Sequence, residues 1–539
     1  MINKFLNSYF FYRLNLRIPI VEFLKFYKSQ NSPSKKWLQK KMTFFRRESS
    51  FKKKDGILLV QRVTDYEYTV KLAAASRVYA DKNNLDVYFY NPYWMKWIGW
   101  IDKIESLYMI FFDTSLKKIY NSFGKGLLFD SQVKFNDQRK IQLKLKEILA
   151  TIHTPEDLIK ITIDGIFVGD LINDTYLRFF NKPTIEAIDN DLNNLIEITL
   201  NIFYSFQTLL VKKNIEALFT TYTTYIGHGL AVRLCLDKDI PVYAFGIYDD
   251  VFQKVNKTFP VQTLHYWEYE PNKDISSVKL AEAEKRFTFR FTGGLDSAIS
   301  YMKQSSFQDM PIDDELKNKF LIKTRNVIIY AHDLFDSPHV YRHLQFQNLF
   351  LYLKQTIENI HQCTTTNFWI KVHPNSERET KNVIKNLIEE INKDNIRLLD
   401  ETVSNLQVVK LNPDLIVTAR GTVALEMAYF EIPVVALYDN PYIQFNFAHT
   451  CYDLETYYSI IRGEMKPNID FNKKLIYSYY YQAYMENLEN VDIETFNILQ
   501  NFKGEKYSDY YIDMLKQNEN LFFSEKFLDN YRRKFFQLN

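Results

Sequence analysis

The amino-acid sequence predicts an α/β protein built from two parallel-sheet domains that face one another across a cleft. Three observations support this fold class. The 539-residue chain is too long for one ordinary hydrophobic core. Two separate series of short apolar strands alternate with helical patterns, as in parallel sheets covered by helices on both faces. Between the two series, residues 303–325 are polar and charged, which indicates a linker.

The first series opens with a β-α-β unit. The run Gly56–Val60 is typical of a buried parallel strand, and it is followed by a helical pattern over 70–82 and a second strand over 86–90. Right-handed crossovers are expected between such strands. The other elements predicted in this half are helical insertions at 100–215, a strand at 217–221, a helix at 229–236 and a strand at 242–245.

The second series begins with a predicted strand over 327–331 and a long helix over 340–360. The alternation continues through further predicted strands at 368–372, 396–399, 415–418 and 434–437, and further helices at 377–393 and 422–430. The chain thus divides into a basic amphipathic segment (1–54), a first Rossmann-like domain (55–302), a linker (303–325), a second Rossmann-like domain (326–465) and a C-terminal helical segment (466–539).

The N-terminal segment differs from the rest of the chain in charge. Residues 1–54 contain 14 Lys or Arg and two acidic residues, which leaves 54 basic and 63 acidic residues in the remainder. Its apolar residues are roughly compatible with an amphipathic helix broken at Pro19. Two interpretations stay open: a helix on an anionic membrane surface, or a helix packed on the protein with its basic face in water. The acidic remainder disfavours nucleic acid as a partner.

Missing patterns exclude several function classes. The three cysteines are far apart and form no C-x-x-C pair, so neither a disulfide framework nor a zinc site is predicted, and a reducing cytoplasm is the expected location. We find no apolar stretch long enough to span a membrane and no signal peptide. Nucleophilic catalysis and NAD binding are disfavoured, since the sequence has neither a Gly-x-Ser-x-Gly elbow nor a Gly-x-Gly-x-x-Gly fingerprint. No cofactor is predicted.

The segment from Asn412 to Glu426 reads as a strand, a glycine turn and a helix. Arg420, Gly421 and Thr422 form the turn, and the N–H groups at the start of a helix favour a diphosphate. Glu426 lies one helical turn further on, where a carboxylate accepts hydrogen bonds from ribose hydroxyls. The alternative is an ordinary helix cap with Glu426 on the surface.

A second candidate segment is the strand that ends in Lys371 and His373. The two residues are two positions apart and share a face of the strand. Ligands of open parallel sheets bind beyond the carboxyl ends of the strands, so both side chains are predicted to contact a donor phosphate and stabilise it as it leaves. We expect this strand end and the one at Ala419 to lie side by side. A structural histidine is the alternative for His373.

The loop after the first strand of the second domain gathers His332, Asp336 and His339. The favoured role for His332 and Asp336 is contact with the donor at the cleft. His and Asp side chains are common zinc ligands, so ligation of a metal by the three residues is an alternative, although the less favoured one. No metal is predicted.

Acid–base candidates lie in the first domain. Asp170 and Asp174 are one helical turn apart and share a face, so either is a candidate general base for an acceptor hydroxyl. The alternative is a helix cap and a salt bridge to Arg178. His228, at the start of a helix after another strand, is a rival base or an acceptor contact, with a capping or structural histidine as the alternative.

Several of these segments resemble bacterial capsule-type glycosyltransferases of the GT-B fold. Gly421-Thr422-x-x-x-Glu426, followed by Pro433-Val434-Val435, resembles their nucleotide-binding segment. His373-Pro374 resembles the His-Pro motif of bacterial sialyltransferases and capsule Kdo transferases. The stretches 331–339 and 169–176 are similar to segments of uncharacterised capsule-type proteins.

The resemblance implies an inverting, metal-independent sugar transfer from a nucleotide-sugar donor to a glycan or lipid-linked glycan acceptor. Capsule, lipo-oligosaccharide or O-antigen assembly in a bacterium is the implied process, in the cytoplasm or peripherally on the inner membrane. Arg420 departs from the small or hydroxyl residue usual at its position, which leaves the donor open. A nucleotide-sugar epimerase and a non-catalytic subunit of a polysaccharide assembly complex stay as alternatives.

Overall fold

The structure is a computed structural model. It describes residues 32–46, 56–92, 114–131, 134–245, 252–262, 266–294, 296, 305–322, 325–340, 343, 345–373, 376, 378–486 and 508–536.

The first domain contains a six-stranded sheet, a two-stranded hairpin and a set of helices. The strands are β1 (Gly56–Gln61), β2 (Leu85–Asn91), β3 (Leu127–Asp130), β4 (Thr162–Ile163), β5 (Ile166–Phe167), β6 (Ile215–Thr220), β7 (Val242–Phe245) and β8 (Phe252–Lys254). The helices are α1 (Pro33–Met42), α2 (Tyr66–Asn83), α3 (Thr114–Phe123), α4 (Gln138–Leu149), α5 (Pro155–Ile159), α6 (Gly169–Phe179), α7 (Asn190–Lys212) and α8 (Tyr225–Asp237).

The sheet order in this domain is β3-β2-β1-β6-β7-β8, and β4 pairs with β5. All pairs in the larger sheet are parallel except β7 with β8. Strand β1 is apolar along almost its whole length because helices cover both faces of the sheet.

The second domain contains the other six-stranded sheet. Its strands are β9 (Arg325–Tyr330), β10 (Thr366–Lys371), β11 (Ile396–Leu399), β12 (Leu415–Thr418), β13 (Val434–Leu437) and β14 (His449–Cys451). The remaining helices of the chain are α9 (Ser277–Thr288), α10 (Asp314–Leu321), α11 (Leu349–Ile360), α12 (Arg378–Ile391), α13 (Asn405–Leu411), α14 (Val423–Tyr429), α15 (Leu454–Arg462), α16 (Lys473–Tyr484), α17 (Asp509–Gln517), α18 (Glu519–Phe522) and α19 (Glu525–Phe536). The order β11-β10-β9-β12-β13-β14 is parallel throughout.

These two sheets confirm the predicted α/β class with two Rossmann-like domains. Three edge strands, β3, β8 and β14, were not predicted, because each is only three or four residues long and carries too little apolar pattern. The predicted helix over 340–360 is wrong in its first half. Helix α11 begins at Leu349, because the Asn348 side chain accepts the N–H of Leu351 and caps the helix there.

Helix α9 packs in the second domain, although residues 55–302 are predicted to belong to the first. Its buried side chains Ala283 and Phe287 belong to the apolar cluster that also contains Ile416 of β12 and Val434 of β13. The Phe287 ring lies 5.5 Å from that of Tyr480 in α16. An amphipathic pattern predicts a helix, but it does not identify the sheet that the helix covers.

Both ends of the described chain pack on the first domain. Helix α1 buries Leu38 and Met42 in the cluster that also contains Ile512 and Leu515 of α17. The described part of the basic segment therefore packs on the protein, as one of the two interpretations holds; the rest of that segment, with Pro19, lies outside the described residues. Across the described ranges, no helix has the length and apolar character needed to cross a membrane.

We expect truncation of Leu515 to destabilise the first domain. Leu515 of α17 is fully buried against the first domain, so Leu515→Ala should lower the free energy of unfolding by about 2–5 kcal/mol. Tyr510, on the same helix, is 66% exposed, and Tyr510→Ala is the matched control, with an expected change within about 0.5 kcal/mol. Urea unfolding of the two variants checks this, and equal midpoints would show that α17 is not part of the domain core.

Candidate active site at the domain interface

Three strand ends form the candidate donor edge of the second sheet. Strand β9 lies between β10 and β12, and Tyr330 is in register with both Lys371 and Thr418. The expectation that the strand ends near 372 and 419 lie side by side is therefore wrong. They are two strand spacings apart, about 10 Å. The strand order places the end of β9, and with it the loop that carries His332, between them.

His332 connects this loop to the glycine turn. The backbone N–H of Arg420 donates to His332 Nε2 at 3.3 Å, so the neutral ring carries its proton on Nδ1. Burial, followed by the nearby His373 and Arg420, lowers the pKa of His332 to about 3. The Arg420 guanidinium donates from Nη2 to the carbonyl of His343 at 2.7 Å. The structure thus brings His332, His373 and Arg420 together at one edge.

Lys371 and His373 differ in their access to the cleft. Lys371 is 2% exposed, and its Nζ donates to the carbonyl of Val403 at 2.6 Å. Burial lowers the pKa of Lys371 to about 8, although acidic neighbours oppose the shift. His373 is half-buried, and burial lowers its pKa against the opposing effect of Asp333. Of the two predicted phosphate contacts, His373 is the more accessible side chain.

The Gly421 turn is closed by hydrogen bonds within the protein. The N–H of Gly421 donates to Thr418 Oγ1 at 3.0 Å, and the Tyr442 hydroxyl donates to the Gly421 carbonyl at 3.2 Å. A Cβ at position 421 would lie 2.8 Å from Thr418 Oγ1, which explains the glycine. Thr422 precedes α14, and its side chain makes no capping hydrogen bond. Its contact with a donor stays a prediction.

Glu426 is buried in a network of charged and polar side chains. It is 2% exposed, and Arg290 Nη1 and Asn405 Nδ2 donate to its two oxygens at 2.8 and 2.7 Å. Arg290 also binds both oxygens of Asp296, at 2.5 and 2.9 Å. Burial raises the pKa of Glu426, against the effect of Arg290. Glu426 is therefore not a surface residue, and a ribose contact would require these bonds to rearrange.

Helix α6 of the first domain carries both predicted carboxylate bases. It starts at Gly169, where a Cβ would lie 2.3 Å from the carbonyl oxygens of Leu158 and Ile159, so only glycine fits against α5. Arg233 of α8 binds Asp170 through two hydrogen bonds, at 2.6 and 2.5 Å. Both oxygens of Asp170 are occupied by this buried guanidinium. Asp170 thus stands next to the base candidate Asp174 with its own charge neutralised.

Asp174 contacts the second domain. Its Oδ1 lies 2.6 Å from His339 Nδ1, and its Oδ2 accepts the backbone N–H of His339 at 3.2 Å. Burial raises the pKa of Asp174, while His339 opposes that shift. For His339, burial alone would lower the pKa, but the Asp174 carboxylate outweighs it and raises the pKa above the ordinary value. His339 and Asp174 therefore form a hydrogen-bonded pair across the domain interface.

A second ion pair crosses the same interface. Arg178 of α6 donates from Nη1 to Asp333 at 2.9 Å, so its partner is in the other domain and not on its own helix. Thr380 Oγ1 donates to the other Asp333 oxygen at 2.8 Å. Asp336, in the same loop, is exposed, and its carboxylate accepts the N–H of Ser337 at 3.0 Å. We call α6 together with residues 332–340 the seam.

His228 lies at the carboxyl edge of the first sheet. Gln61 Oε1 accepts the N–H of Thr221 at 2.8 Å, which orients the Gln61 amide so that its Nε2 donates to His228 Nδ1 at 2.9 Å. The neutral ring then carries its proton on Nε2. Burial lowers the pKa of His228 to about 4. This arrangement suits a hydrogen-bond donor better than a general base.

A cavity of about 760 Å³ lies where the two domains meet, away from the predicted site residues, none of which lines it. Two hydrogen bonds cross the interface at its rim: Gln347 donates to Glu156 at 2.5 Å and Asn348 to Thr184 at 3.1 Å. Separately, in the part of the chain that the structure describes, no group of three His, Cys, Asp or Glu side chains is placed to hold a metal ion.

Neither a protein-family model nor a curated protein matches the sequence. Among solved structures, the chain is similar to a β-Kdo 2,4-transferase, KpsC of Thermosulfurimonas dismutans, with 12% identity, coverage of 50% of this chain and 80% of that one, and a TM-score of 0.31.

Two further solved structures are similar to larger parts of the chain. The UDP-GlcNAc 2-epimerase of Methanocaldococcus jannaschii, in complex with UDP-GlcNAc and UDP, has 10% identity, coverage of 78% and 97%, and a TM-score of 0.26. A UDP-forming trehalose-phosphate synthase of Burkholderia vietnamiensis has 10% identity, coverage of 86% and 100%, and a TM-score of 0.25. Because these scores are low, the fold assignment depends on the strand order and register of the chain itself.

Proposed function

We propose that this protein is a glycosyltransferase of the GT-B type, which moves a sugar from a nucleotide-sugar donor to a bacterial surface glycan or its lipid-linked precursor. The seam is the observation that carries the proposal. There a helix bearing two carboxylates from the first domain meets the carboxyl edge of the second sheet, where His332, His373 and Arg420 gather. Open parallel sheets bind ligands beyond this edge.

The chemistry of sugar transfer fits the two sides of the seam. Cleavage of the glycosidic bond leaves negative charge on the nucleotide phosphate, which His373 and the Arg420 turn would stabilise by hydrogen bonds. Attack by the acceptor hydroxyl requires a base, and the seam, where the carboxylates of α6 meet His339, supplies the candidate groups. Inversion follows from a single displacement between the two sides. Closure of the domains would exclude water from the reaction.

The donor contacts and the cellular role belong to the same proposal. Thr422 and the backbone of the Gly421 turn would hold the diphosphate, with Lys371 beneath it as a buried positive charge. We propose capsule, lipo-oligosaccharide or O-antigen assembly as the process. The basic residues 1–54 would bring the enzyme to the anionic inner surface of the membrane.

A test of donor turnover separates this proposal from its two alternatives. Purified protein is incubated with UDP-, GDP-, CDP-, CMP- and dTDP-linked radiolabelled sugars, with and without membranes that contain lipid-linked glycan. A transferase releases free nucleotide and moves the label into the glycan. An epimerase forms an isomeric nucleotide sugar without any acceptor. A non-catalytic subunit does neither, and His373→Ala then leaves polysaccharide production intact in cells.

A further inference from the structure

The hydrogen bonds between α6 and His339 leave the Nε2 of His339 open to solvent. Both Asp170 oxygens accept from Arg233, and both Asp174 oxygens accept from His339. The His339 ring uses Nδ1 for this contact. Its Nε2 is not buried, and the side chain as a whole is 19% exposed. Among the described residues, none forms a hydrogen bond with this atom, so solvent reaches it.

On the basis of the function proposed above, we propose that His339 Nε2 is the general base of the transfer and that Asp174 is its positioning residue. The base then comes from the second domain and its orienting carboxylate from the first. Each domain alone lacks half of the pair, so the base is positioned only when α6 and the loop after β9 are in contact. An unproductive open state would follow when they separate.

The reaction step is a single displacement. The oxygen of the acceptor hydroxyl forms a bond to the anomeric carbon of the donor sugar, and its proton passes to His339 Nε2. The bond between the anomeric carbon and the phosphate oxygen breaks, and its electron pair leaves with the nucleotide. The imidazolium that forms is stabilised by the Asp174 carboxylate at Nδ1, the arrangement in which a carboxylate fixes the tautomer of a catalytic histidine.

The charges around His339 suit this role at neutral pH. On α6, Asp174 and then Asp170 raise the pKa of the imidazole, and Arg233 of α8 lowers it. Beyond them, Arg178 and the exposed Asp336 lie along the same seam. Removal of the Asp174 charge by Asp174→Asn should therefore lower the pKa of His339. If the pair had a purely structural role, the pH dependence of activity would not shift with that pKa.

Chemical modification and turnover test the inference together. Diethyl pyrocarbonate reacts with neutral imidazole, and mass spectrometry of the His339 peptide gives its titration midpoint from about pH 5 to 9. We expect a midpoint above about 6.5 in the wild type and a lower one in Asp174→Asn. The acidic limb of nucleotide release from the sugar nucleotide that the wild type consumes should move by the same amount. A His339 peptide that never reacts, or a limb that stays in place, overturns the inference.

A conservative variant keeps the test independent of folding. His339→Gln retains a hydrogen-bond donor toward Asp174 but no base, and should reduce nucleotide release about 100-fold or more while nucleotide binding stays within about twofold. His153→Gln, on an exposed histidine, is the control and should match the wild type. Release by His339→Gln within about tenfold of the wild type overturns the base role alone. Failure of the wild type to release any nucleotide overturns the proposed function and the base role with it.

Discussion

Replacement of Arg290 by methionine should lower the free energy of unfolding of the second domain by about 3–5 kcal/mol. Arg290 is fully buried, and it is the shared partner of the Asp296 and Glu426 carboxylates. Methionine keeps much of the apolar contact with Phe287, whose ring lies 4.7 Å from the guanidinium, but it leaves two buried carboxylates without their cation. Urea unfolding followed by tryptophan fluorescence measures the loss, since Trp369 lies in the core of this domain.

The pH dependence of the Arg290→Met variant distinguishes lost charge pairing from lost packing. Without the guanidinium, burial raises the pKa of Glu426 further, so the folded variant takes up a proton as the pH falls. The stability difference from the wild type should therefore shrink between about pH 7 and 5. Arg286→Met removes a partly exposed arginine that binds Glu282 on the same helix, and it should cost at most about 1 kcal/mol. A constant difference at all pH values would contradict the charge explanation.

Replacement of Arg233 by methionine is the second large expected effect. Asp170 and Arg233 are 9% and 6% exposed and form a two-point pair that joins α6 to α8, and Arg233 also donates to the carbonyl of Phe167 at 2.6 Å. The variant leaves a buried carboxylate unpaired, so we expect a loss of about 3–5 kcal/mol in the first domain. Thermal and urea unfolding of the purified variant measure it.

A double variant tests the reason for that loss. In Asp170→Leu/Arg233→Met both charges are gone, and an apolar pair of similar volume should recover most of the stability of the wild type. Non-recovery would mean that the pair acts through local packing. Recovery of stability without recovery of nucleotide release would show that Asp170 and Arg233 hold α6 for the reaction.

The parallel sheets were predictable because their strands are short, apolar runs bounded by glycine, proline and charged residues. The runs at 327–331 and 415–418 correspond to β9 and β12 within two residues. Strand order was not predictable in the same way. The sequence places β9 well before β12, and only the parallel register of Tyr330 with Lys371 and Thr418 shows that β9 separates the two candidate strand ends. The order of the strands in the sheet depends on which face of the sheet each connecting helix covers.

The candidate site was predictable in its residue types and not in its partners. Spacing of one helical turn correctly indicated that Asp170 and Asp174 share a face of α6. Their partners, Arg233 and His339, are 63 and 165 positions away along the chain, so no local pattern could indicate them. One signal was available: Arg233 is a single charged residue in the apolar run Ala231–Leu236, where a buried charge needs a partner.

Equilibrium binding of CMP, CDP, UDP, GDP and dTDP to the wild type, to His373→Ala and to the exposed-site control His153→Ala tests the central claim most directly. We predict that one nucleotide binds the wild type and the control equally and raises their melting temperatures. His373→Ala should bind it at least about tenfold more weakly, because a hydrogen bond to a charged phosphate contributes about 1.5–3 kcal/mol. Binding of none of the five nucleotides, or equal binding by His373→Ala, would contradict a nucleotide site at the carboxyl edge of the second sheet.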